Sequence, residues 1–474
     1  EYIQFIVERE LDRAMIEYQP LRAMVLVVNP MTGEVLAMSG KPDFDPNDYA
    51  SYPKEYWNIS PISNTFEPGS TFKLVTLSSA IEENKYNMNE GFYCGGSVRV
   101  AGHNIHCWTG NGHGAISYLE VVYGSCNPGF INLGQRLGKD TLQKYIDAFG
   151  FGVRTGIDLP GESTGIIFNP EDMGPVELAT TSFGQGVSVT PIQQVMAIAA
   201  MINGGTLYEP YLVKEITDAD GNTIEKKSPT PVRQVISKET SDQVRHIMEQ
   251  VVIHGTARNA AIPGYRIGGK TGTAQKVGPG GHYIAGEYIV SFVGFLPLEN
   301  PQILLYVAVD GAKRGAQWGS QISAPIGKRI FKDIITYLSL PPDAEEENDS
   351  FKELVTVPNL EGLNLRQAGS AVDSTGLVIR AVGEGNVIEK QTPKAGARVP
   401  LQTEILVYLG KNGGEEVEIP NFSGWTMRQA AEVLNWLGLT MESRGSGVVN
   451  GQDPAPGEKV KPGDTVILEF SAID

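Results

Sequence analysis

The chain has 474 residues, which at roughly 100–200 residues per domain predicts two to four domains. Its 55 acidic side chains outnumber its 38 Lys and Arg side chains, and the formal net charge is −17. This balance argues against a nucleic-acid partner, because recognition of nucleic acid depends on basic surface patches. No run of about 18 apolar residues occurs, so the sequence predicts no membrane-spanning helix.

Residues 1–340 mix helical and strand patterns. A helix is predicted over Tyr2–Ile16, and a chain that begins inside such a pattern is typical of a processing boundary. Apolar periodicity predicts strands over 23–28, 35–38, 267–275, 288–295 and 303–309, and further helices over 74–83, 191–202 and 322–338. Because strands occupy both ends of this region, we expect an α+β domain with one antiparallel sheet in which the first and last strands meet.

The composition changes after residue 340. Residues 341–353 form an acidic linker that is poor in apolar residues, and an internal repeat lies beyond it. The repeated segments are Val357-Pro358-Asn359 with Ile419-Pro420-Asn421, Arg366-Gln367-Ala368 with Arg428-Gln429-Ala430, Gly376-Leu377 with Gly438-Leu439, and Thr392-Pro393 with Asp453-Pro454. We therefore predict two small α/β modules, over 354–411 and 415–474, joined at 411–414. Each would contain a helix followed by short strands such as Glu404–Leu409 and Thr465–Phe470.

Three short motifs carry candidate chemistry: Ser70-Thr71-Phe72-Lys73, Ser125-Cys126-Asn127 and Lys270-Thr271-Gly272-Thr273. The first places a hydroxyl and an amine on one helical face, close to a helix start whose free N–H groups can stabilise an oxyanion. The second is predicted to lie in a loop ended by Pro128-Gly129, and the third in a strand. Ser51 and Lys54 share the first spacing, but Pro53 falls inside the turn that the spacing requires.

Each motif has a physical role in acyl transfer. Ser70 is the candidate nucleophile, and a buried Lys73 can lose its proton near neutral pH and act as its base. Ser125 can relay a proton between Lys73 and a leaving amine. Lys270 offers a positive charge to a substrate carboxylate. The glycines, Gly272 among them, let a substrate backbone lie against the strand.

In order and spacing the three motifs resemble those of penicillin-binding proteins. Further segments make the resemblance specific to class B, namely Asp45-Pro46-Asn47, residues 156–162, Phe183-Gly184-Gln185-Gly186, Gly255-Thr256-Ala257 and Phe292-Val293-Gly294-Phe295. The repeats resemble PASTA modules. Together with a cysteine inside the second motif, they make the chain similar to sporulation-type transpeptidases of Gram-positive spore formers. The resemblance implies a penicillin-binding-protein/β-lactamase-like transpeptidase domain over 1–340.

The resemblance also implies a function. Ser70 would attack the penultimate D-Ala carbonyl of a peptidoglycan stem peptide, and an amine from a neighbouring strand would then accept the acyl group. The N–H groups of Ser70 and Thr273 would bind the oxyanion, and the hydroxyls of Thr271 and Thr273 the terminal carboxylate. β-Lactams would acylate the same serine. Catalysis would require no cofactor.

Partners and location follow from the same resemblance. It implies a membrane glycosyltransferase partner and a position on the extracytoplasmic face of the cell membrane, with a single N-terminal anchor outside the printed residues. The PASTA-like modules would contact peptidoglycan or partner proteins, or serve as spacers.

Other functions share the three motifs. A D,D-carboxypeptidase or a β-lactamase would deliver water to the acyl-enzyme, and no base for that water is identifiable in the sequence. A non-catalytic β-lactam sensor would use Ser70 only for binding, and such sensors usually carry a membrane signalling domain.

All three cysteines lie in one window that also contains half of the six histidines. The spacing Cys94-x12-Cys107-x5-His113-x12-Cys126 can supply three thiolates and one imidazole, a tetrahedral set for a structural Zn²⁺. Some class B penicillin-binding proteins carry a metal beside this motif. The rival interpretations are a disulfide between Cys107 and Cys126, which would pull on the second motif and act as a redox switch, and three free thiols. The other two histidines of the window, His103 and His106, are predicted to be loop residues rather than ligands.

Overall fold

The structure is a computed structural model that describes residues 1–278, 280–343, 354–383, 385, 387–401, 403–410, 417–437, 439–445, 447–460 and 464–471. Contacts divide the chain into one unit that contains Glu1–Val355 and a second that contains Thr356–Ala371, Val378–Val399 and Thr403–Asp474. Most of the predicted acidic linker (344–353) and the predicted joint at 411–414 lie outside the described residues. Among the described helices, none is long and apolar enough to cross a membrane.

The first unit is an α+β domain. Its strands are β1 Arg22–Val28, β2 Val35–Lys41, β3 Gly91–Cys94, β4 Ser97–Val100, β5 His103–His106, β6 Gly114–Ser117, β7 Thr206–Tyr208, β8 Glu215–Thr217, β9 Thr223–Lys226, β10 Pro231–Gln234, β11 Gly268–Val277, β12 Tyr283–Leu296 and β13 Ile303–Asp310. Its helices are α1 Tyr2–Tyr18, α2 Ser60–Ser63, α3 Lys73–Glu82, α4 Tyr118–Tyr123, α5 Asn127–Leu137, α6 Lys139–Ala148, α7 Pro175–Thr181, α8 Pro191–Ile202, α9 Lys238–His254 and α10 Ser323–Leu338.

One five-stranded antiparallel sheet organises this unit, in the order β11-β12-β13-β1-β2. The first and last parts of the unit meet where β1 pairs with β13, for example Val25 opposite Val307. The prediction that these ends share one sheet is therefore confirmed. The central strands are nearly continuous apolar runs, and all eight residues of β13 are buried. Such runs are typical of strands that are covered on both faces.

Helices pack against the sheet. α10 has a strongly amphipathic sequence, and its buried face includes Ile326, Ile330 and Ile334. α8 is buried along its whole length. Both helices were predicted at nearly these bounds. β11, which carries the Lys-Thr-Gly motif, lies at one edge of the sheet, so that one side of it has no strand partner among the residues that the structure describes.

Two local predictions were wrong. Pro128-Gly129 does not end a loop but lies in the first turn of α5, which begins at Asn127. Proline is tolerated there because the first N–H groups of a helix need no partner within it. His103 and His106 are not loop residues but the two ends of β5, which pairs with β4 in a short hairpin.

Residues 354–471 form two modules with the same element order. The first has β14 Leu354–Thr356, α11 Leu365–Val372, β15 Val378–Val382, β16 Ile388–Thr392, β17 Arg398–Pro400 and β18 Glu404–Leu409; the second has β19 Val417–Glu418, α12 Met427–Trp436, β20 Thr440–Gly445, β21 Val448–Asp453, β22 Lys459–Val460 and β23 Thr465–Ser471. Each module forms a three-stranded sheet with one parallel and one antiparallel pairing. The predicted internal repeat is thus a structural repeat.

Candidate active site

Ser70 lies in a tight turn immediately before α3. The turn spans Gly69–Thr71, and the hydroxyl of Thr71 donates to the carbonyl of Pro68 at 2.9 Å. Gly69 has a φ of 54°, in the left-handed region that favours glycine. The turn is also held from outside, because the Gly69 N–H donates to the Gly184 carbonyl at 2.9 Å. Ser70 is half-buried and reachable, as a nucleophile must be.

Lys73 begins α3 and is fully buried. Its Nζ donates to the carbonyl and the hydroxyl of Ser125, at 2.8 and 3.1 Å, and to Oδ1 of Asn127 at 2.7 Å. Burial lowers the pKa of Lys73 to about 8, against an opposing effect of Cys107 and Cys126. The first two motifs are thus joined through the amine that sequence reasoning selected as the base.

Lys270 approaches the same hydroxyl from β11. Its Nζ donates to Ser125 Oγ at 3.0 Å and to the Thr271 carbonyl at 2.8 Å. Burial, and then the charge of Lys73, hold the pKa of Lys270 well below its usual value. The Lys270 side chain is fully buried, so the hydroxyl of Ser125 lies between two buried amines.

The Lys-Thr-Gly strand is itself tied to its surroundings. The hydroxyls of Thr271 and Thr256 are 2.7 Å apart, and the Gly319 N–H donates to Thr273 Oγ1 at 3.2 Å. A Cβ at Gly272 would clash with Ser291 Oγ of β12, so a larger residue there would displace the Ser291 side chain. At the third motif the edge strand therefore has no side chain at Gly272, and hydrogen bonds fix the positions of the Thr271 and Thr273 hydroxyls.

Sequence reasoning missed three residues that brace this site. Besides Thr256, Glu67 accepts a hydrogen bond from the Gly186 N–H at 2.8 Å and from the Tyr283 hydroxyl at 3.0 Å. Its carboxylate so links the turn before Ser70 to a glycine loop and to β12, and burial raises its pKa. Trp108 donates from its indole N–H to the Gly124 carbonyl at 2.9 Å. Glu67 lies close to Ser70, and Thr256 lies in the segment Gly255-Thr256-Ala257 that carries part of the family resemblance. Their hydrogen-bond partners are distant in sequence, so only the fold reveals them.

The competing Ser-x-x-Lys match is not part of the site. Ser51 and Lys54 belong to two successive exposed turns, Pro46–Ser51 and Lys54–Trp57. Pro53 separates the turns, as its position in the motif predicted.

Comparison with known families agrees with this geometry. The penicillin-binding protein transpeptidase domain matches residues 23–332, and the PASTA domain matches residues 355–411 and 417–472. The chain belongs to the penicillin-binding protein transpeptidases. The family predicted from the three motifs and from the repeats is confirmed.

Two curated relatives of this penicillin-binding protein show how similar it is to individual members of the family. Stage V sporulation protein D of Bacillus subtilis is 48% identical over 421 residues, which cover 87% of this chain and 65% of that protein. Peptidoglycan D,D-transpeptidase FtsI of Escherichia coli is 31% identical over 350 residues, 74% of this chain and 57% of that protein. The chain thus spans less than two thirds of the length of both relatives.

A solved structure agrees with the fold. Penicillin-binding protein 3 of Mycobacterium tuberculosis, complexed with aztreonam, superposes with a TM-score of 0.67 and 30% identity over 72% of this chain and 78% of that chain.

The predicted metal-binding residues come together in this penicillin-binding protein. One ligand atom from each of Cys94, Cys107, His113 and Cys126 lies within 4.8 Å of the others. The cysteines are buried and free, and Cys107 Sγ is 3.5 Å from His113 Nδ1. In a tetrahedral site with Zn–S bonds of about 2.3 Å, ligand atoms lie about 3.8 Å apart, so this set fits zinc with little adjustment.

Electrostatics within the cluster favour a cation. The contact with Cys126, and then that with His113, lowers the pKa of Cys107, whereas the same thiol–thiol contact raises the pKa of Cys126. Burial lowers the pKa of His113, but hydrogen bonds with Cys107 and Cys94 outweigh burial and raise it. Thiols packed this closely cannot all ionise without a compensating positive charge.

Proposed function

We propose that this chain is a serine D,D-transpeptidase that cross-links peptidoglycan stem peptides through an acyl-enzyme on Ser70. The observation that carries the proposal is the meeting of the three motifs at one atom. Ser125 Oγ lies 3.1 Å from Lys73 Nζ and 3.0 Å from Lys270 Nζ. Two amines with lowered pKa around one hydroxyl form a path along which a proton can move during acyl transfer.

Acylation begins with proton abstraction. With a pKa of about 8, Lys73 is partly neutral near pH 7 and takes the proton of Ser70 as Oγ attacks the penultimate D-Ala carbonyl. The oxyanion of the tetrahedral intermediate is bound by the N–H groups of Ser70 and Thr273. When the intermediate collapses, the C–N bond breaks, and the proton passes from Lys73 through Ser125 to the departing D-Ala amine.

The second half-reaction runs the same path in reverse. An acceptor amine attacks the ester carbonyl, and the proton that it loses passes through Ser125 to Lys73. The ester bond to Ser70 then breaks, and Ser70 Oγ recovers its proton from Lys73. All proton transfers use side chains of this chain, so we propose that catalysis requires no cofactor. Thr271 and Thr273 hold the terminal carboxylate of the donor, and a β-lactam, which mimics that end, leaves a slowly hydrolysed ester on Ser70.

Intact-mass measurement after exposure to penicillin tests the nucleophile. One adduct per chain is expected, and Ser70→Ala should abolish it. An adduct of unchanged stoichiometry in Ser70→Ala would contradict the assignment.

A cross-linking assay with a D-Ala-D-Ala donor and an amine acceptor separates transpeptidation from the alternatives. Release of D-Ala without a cross-linked product indicates a D,D-carboxypeptidase, and acylation without turnover indicates a sensor. Rapid multiple-turnover hydrolysis of nitrocefin indicates a β-lactamase.

We propose further that Cys94, Cys107, His113 and Cys126 bind one structural Zn²⁺. The support is the approach of four ligand atoms within 4.8 Å, with three of the four side chains buried. The ion would tie the hairpin strands before α4 to the Ser-x-Asn turn through Cys126, and so contribute to folding.

Elemental analysis of protein purified without chelator tests the zinc proposal. One zinc per chain is expected, with loss of metal and a lower melting temperature in Cys107→Ser. His106→Ala is the matched control, because His106 is exposed and outside the cluster. Metal-free protein that gains about 2 Da on reduction indicates a disulfide instead, and metal-free protein of unchanged mass indicates free thiols.

The wider setting is proposed from the relatives. We propose a transpeptidase domain over 1–340, a linker over 341–353 and PASTA modules over 354–411 and 415–474. We also propose that the protein acts at the extracytoplasmic face of a membrane during sporulation, with a glycosyltransferase that supplies the glycan strands. Similarity to Stage V sporulation protein D supports the sporulation role. Co-purification of the full-length protein with membranes of sporulating cells tests this setting.

A further inference from the structure

Ser125 has an unusual backbone. Its φ of 53° lies in the left-handed region, which is strained for a residue with a Cβ. Such conformations persist only where the surroundings hold them. The conformation matters because it directs the Ser125 hydroxyl at the amines of Lys73 and Lys270.

The last residue of β5 and the segment that follows it hold this turn on both sides. Before Ser125, the Gly124 carbonyl accepts a hydrogen bond from the indole N–H of Trp108 at 2.9 Å. After it, Asn127 Nδ2 donates to the His106 carbonyl at 3.1 Å. These two bonds involve His106 and Trp108, which are only two residues apart. One short segment therefore hydrogen-bonds to the chain on both sides of Ser125.

Trp108 is itself held by aromatic neighbours. Its ring meets His113 edge-on at a centroid distance of 5.6 Å, and meets Trp318 edge-on at 5.4 Å. Edge-to-face pairs at these distances are favourable and fix the orientation of both rings. The indole N–H is therefore directed at the Gly124 carbonyl rather than free to rotate away.

Trp318 links Trp108 to the Lys-Thr-Gly strand. The next residue, Gly319, donates from its N–H to Thr273 Oγ1 at 3.2 Å. Gly319 also lies directly against the strand, since a Cβ there would come within 2.5 Å of the carbonyl oxygens of Gly272 and Ser291. The tryptophan pair thus joins the Ser-x-Asn turn to β11, the two structures between which Ser125 and Lys270 meet.

We propose that Trp108 is a positioning residue for Ser125. Its N–H holds the turn in the left-handed conformation, and its contact with Trp318 sets the separation between that turn and β11. The proposal rests on the proposed transpeptidase function, in which Ser125 passes a proton to the leaving amine. Loss of the N–H should therefore slow the acyl-transfer step and leave the preceding binding step unchanged.

The test is stopped-flow acylation by nitrocefin, which separates the dissociation constant of the initial complex from the acylation rate constant. Trp108→Phe keeps an aromatic ring and removes the N–H. We expect a rate constant lower by about 2- to 12-fold, the worth of one neutral hydrogen bond, with the dissociation constant within about twofold of wild type. Trp57→Phe is the matched control: Trp57 also donates its indole N–H to a carbonyl, that of Tyr49 at 3.0 Å, but lies in the turn Lys54–Trp57 outside the site, so this variant should acylate at close to the wild-type rate.

Several outcomes overturn the proposal. One is an unchanged acylation rate constant in Trp108→Phe. Another is a lower rate constant together with a higher dissociation constant and a lower melting temperature, which indicates a structural role alone. Zinc content is measured in the same samples, since a rate loss that tracks metal loss would assign the effect to the cluster. If Trp108→Phe does not fold, 3-benzothienylalanine at position 108 replaces only the N–H by sulfur and carries the same expectation. Failure of wild-type protein to acylate would instead contradict the proposed function.

Discussion

The rate of acylation should depend on pH through Lys73. With a pKa of about 8, the amine is neutral in about 9% of molecules at pH 7, from 1/(1 + 10), and in about 91% at pH 9, so the acylation rate constant should rise about tenfold. Lys270 is coupled to this titration, because burial and then the charge of Lys73 hold its pKa well below the usual value. Both amines contact Ser125 Oγ, so the measured pKa belongs to the pair.

Unfolding cannot mimic the expected rise. A lysine whose pKa is lower in the folded protein binds fewer protons there than in the unfolded chain between about pH 8 and pH 10.5, so its contribution to stability increases with pH across that window. The assay is stopped-flow acylation by a fluorescent penicillin from pH 6.5 to 9.5, with circular dichroism at each pH. Lys73→Arg retains the charge but cannot lose its proton, and should acylate slower by at least about 100-fold. A flat profile, or near wild-type acylation by Lys73→Arg, would refute the role of Lys73 as base.

Two further predictions concern architecture. Gly184 has a φ of 84°, and a Cβ there would clash with the Gly69 carbonyl, so Gly184→Ala should lower both the melting temperature and the acylation rate. Gly161→Ala, with a similar φ of 86° and no atom within 4 Å of the added Cβ, should cost only about 1–2 kcal/mol of stability and leave acylation unchanged; equal behaviour of the two variants would exclude the clash. A fragment of residues 1–340 should fold and acylate at the wild-type rate, and a folded fragment that cannot be acylated would show that the PASTA modules support the site.

Elements with strong local signals were predictable from the sequence. α8 was predicted over 191–202 and has these bounds, because Thr190 and Gln193 form a capping box and Pro191 occupies the first turn. The strands β1 and β13 were found from their continuous apolar runs. The three motifs were recognised for a similar reason, since the chemistry of each requires particular residue types at short spacing.

Features that depend on distant pairings were not predictable. β12 was predicted to start at Tyr288 but starts at Tyr283, because its exposed first half is specified by pairing with β11 rather than by apolar content. In the modules, the side-chain amides of Gln391 and Gln452 each donate to the backbone carbonyls of two prolines and each accept one backbone N–H. The sequence shows both glutamines beside the repeated proline dipeptide, yet nothing local indicates that the amide of a glutamine there makes three hydrogen bonds.

Thr256 illustrates how a residue outside the three motifs can tune them. Its hydroxyl is 2.7 Å from that of Thr271, and both residues are buried. If Thr256 donates, the proton of Thr271 stays free for the carboxylate of a donor peptide or a β-lactam, and the shared bond strengthens that donation. Thr256→Val keeps the shape and removes the hydroxyl, so the initial complex with a carboxylate-bearing penicillin should weaken by about 2- to 12-fold.

The control for this prediction is chemical as well as genetic. A penicillin methyl ester lacks the charged carboxylate, so its binding should change less than that of the free acid, and Thr256→Ser should behave as wild type because the hydroxyl is retained. If Thr271 donates to Thr256 instead, removal of Thr256 frees the Thr271 proton, and Thr256→Val should bind the carboxylate more tightly. Tighter binding would therefore reverse the assigned direction of the bond, and equal effects on acid and ester would show that the pair does not act on the carboxylate.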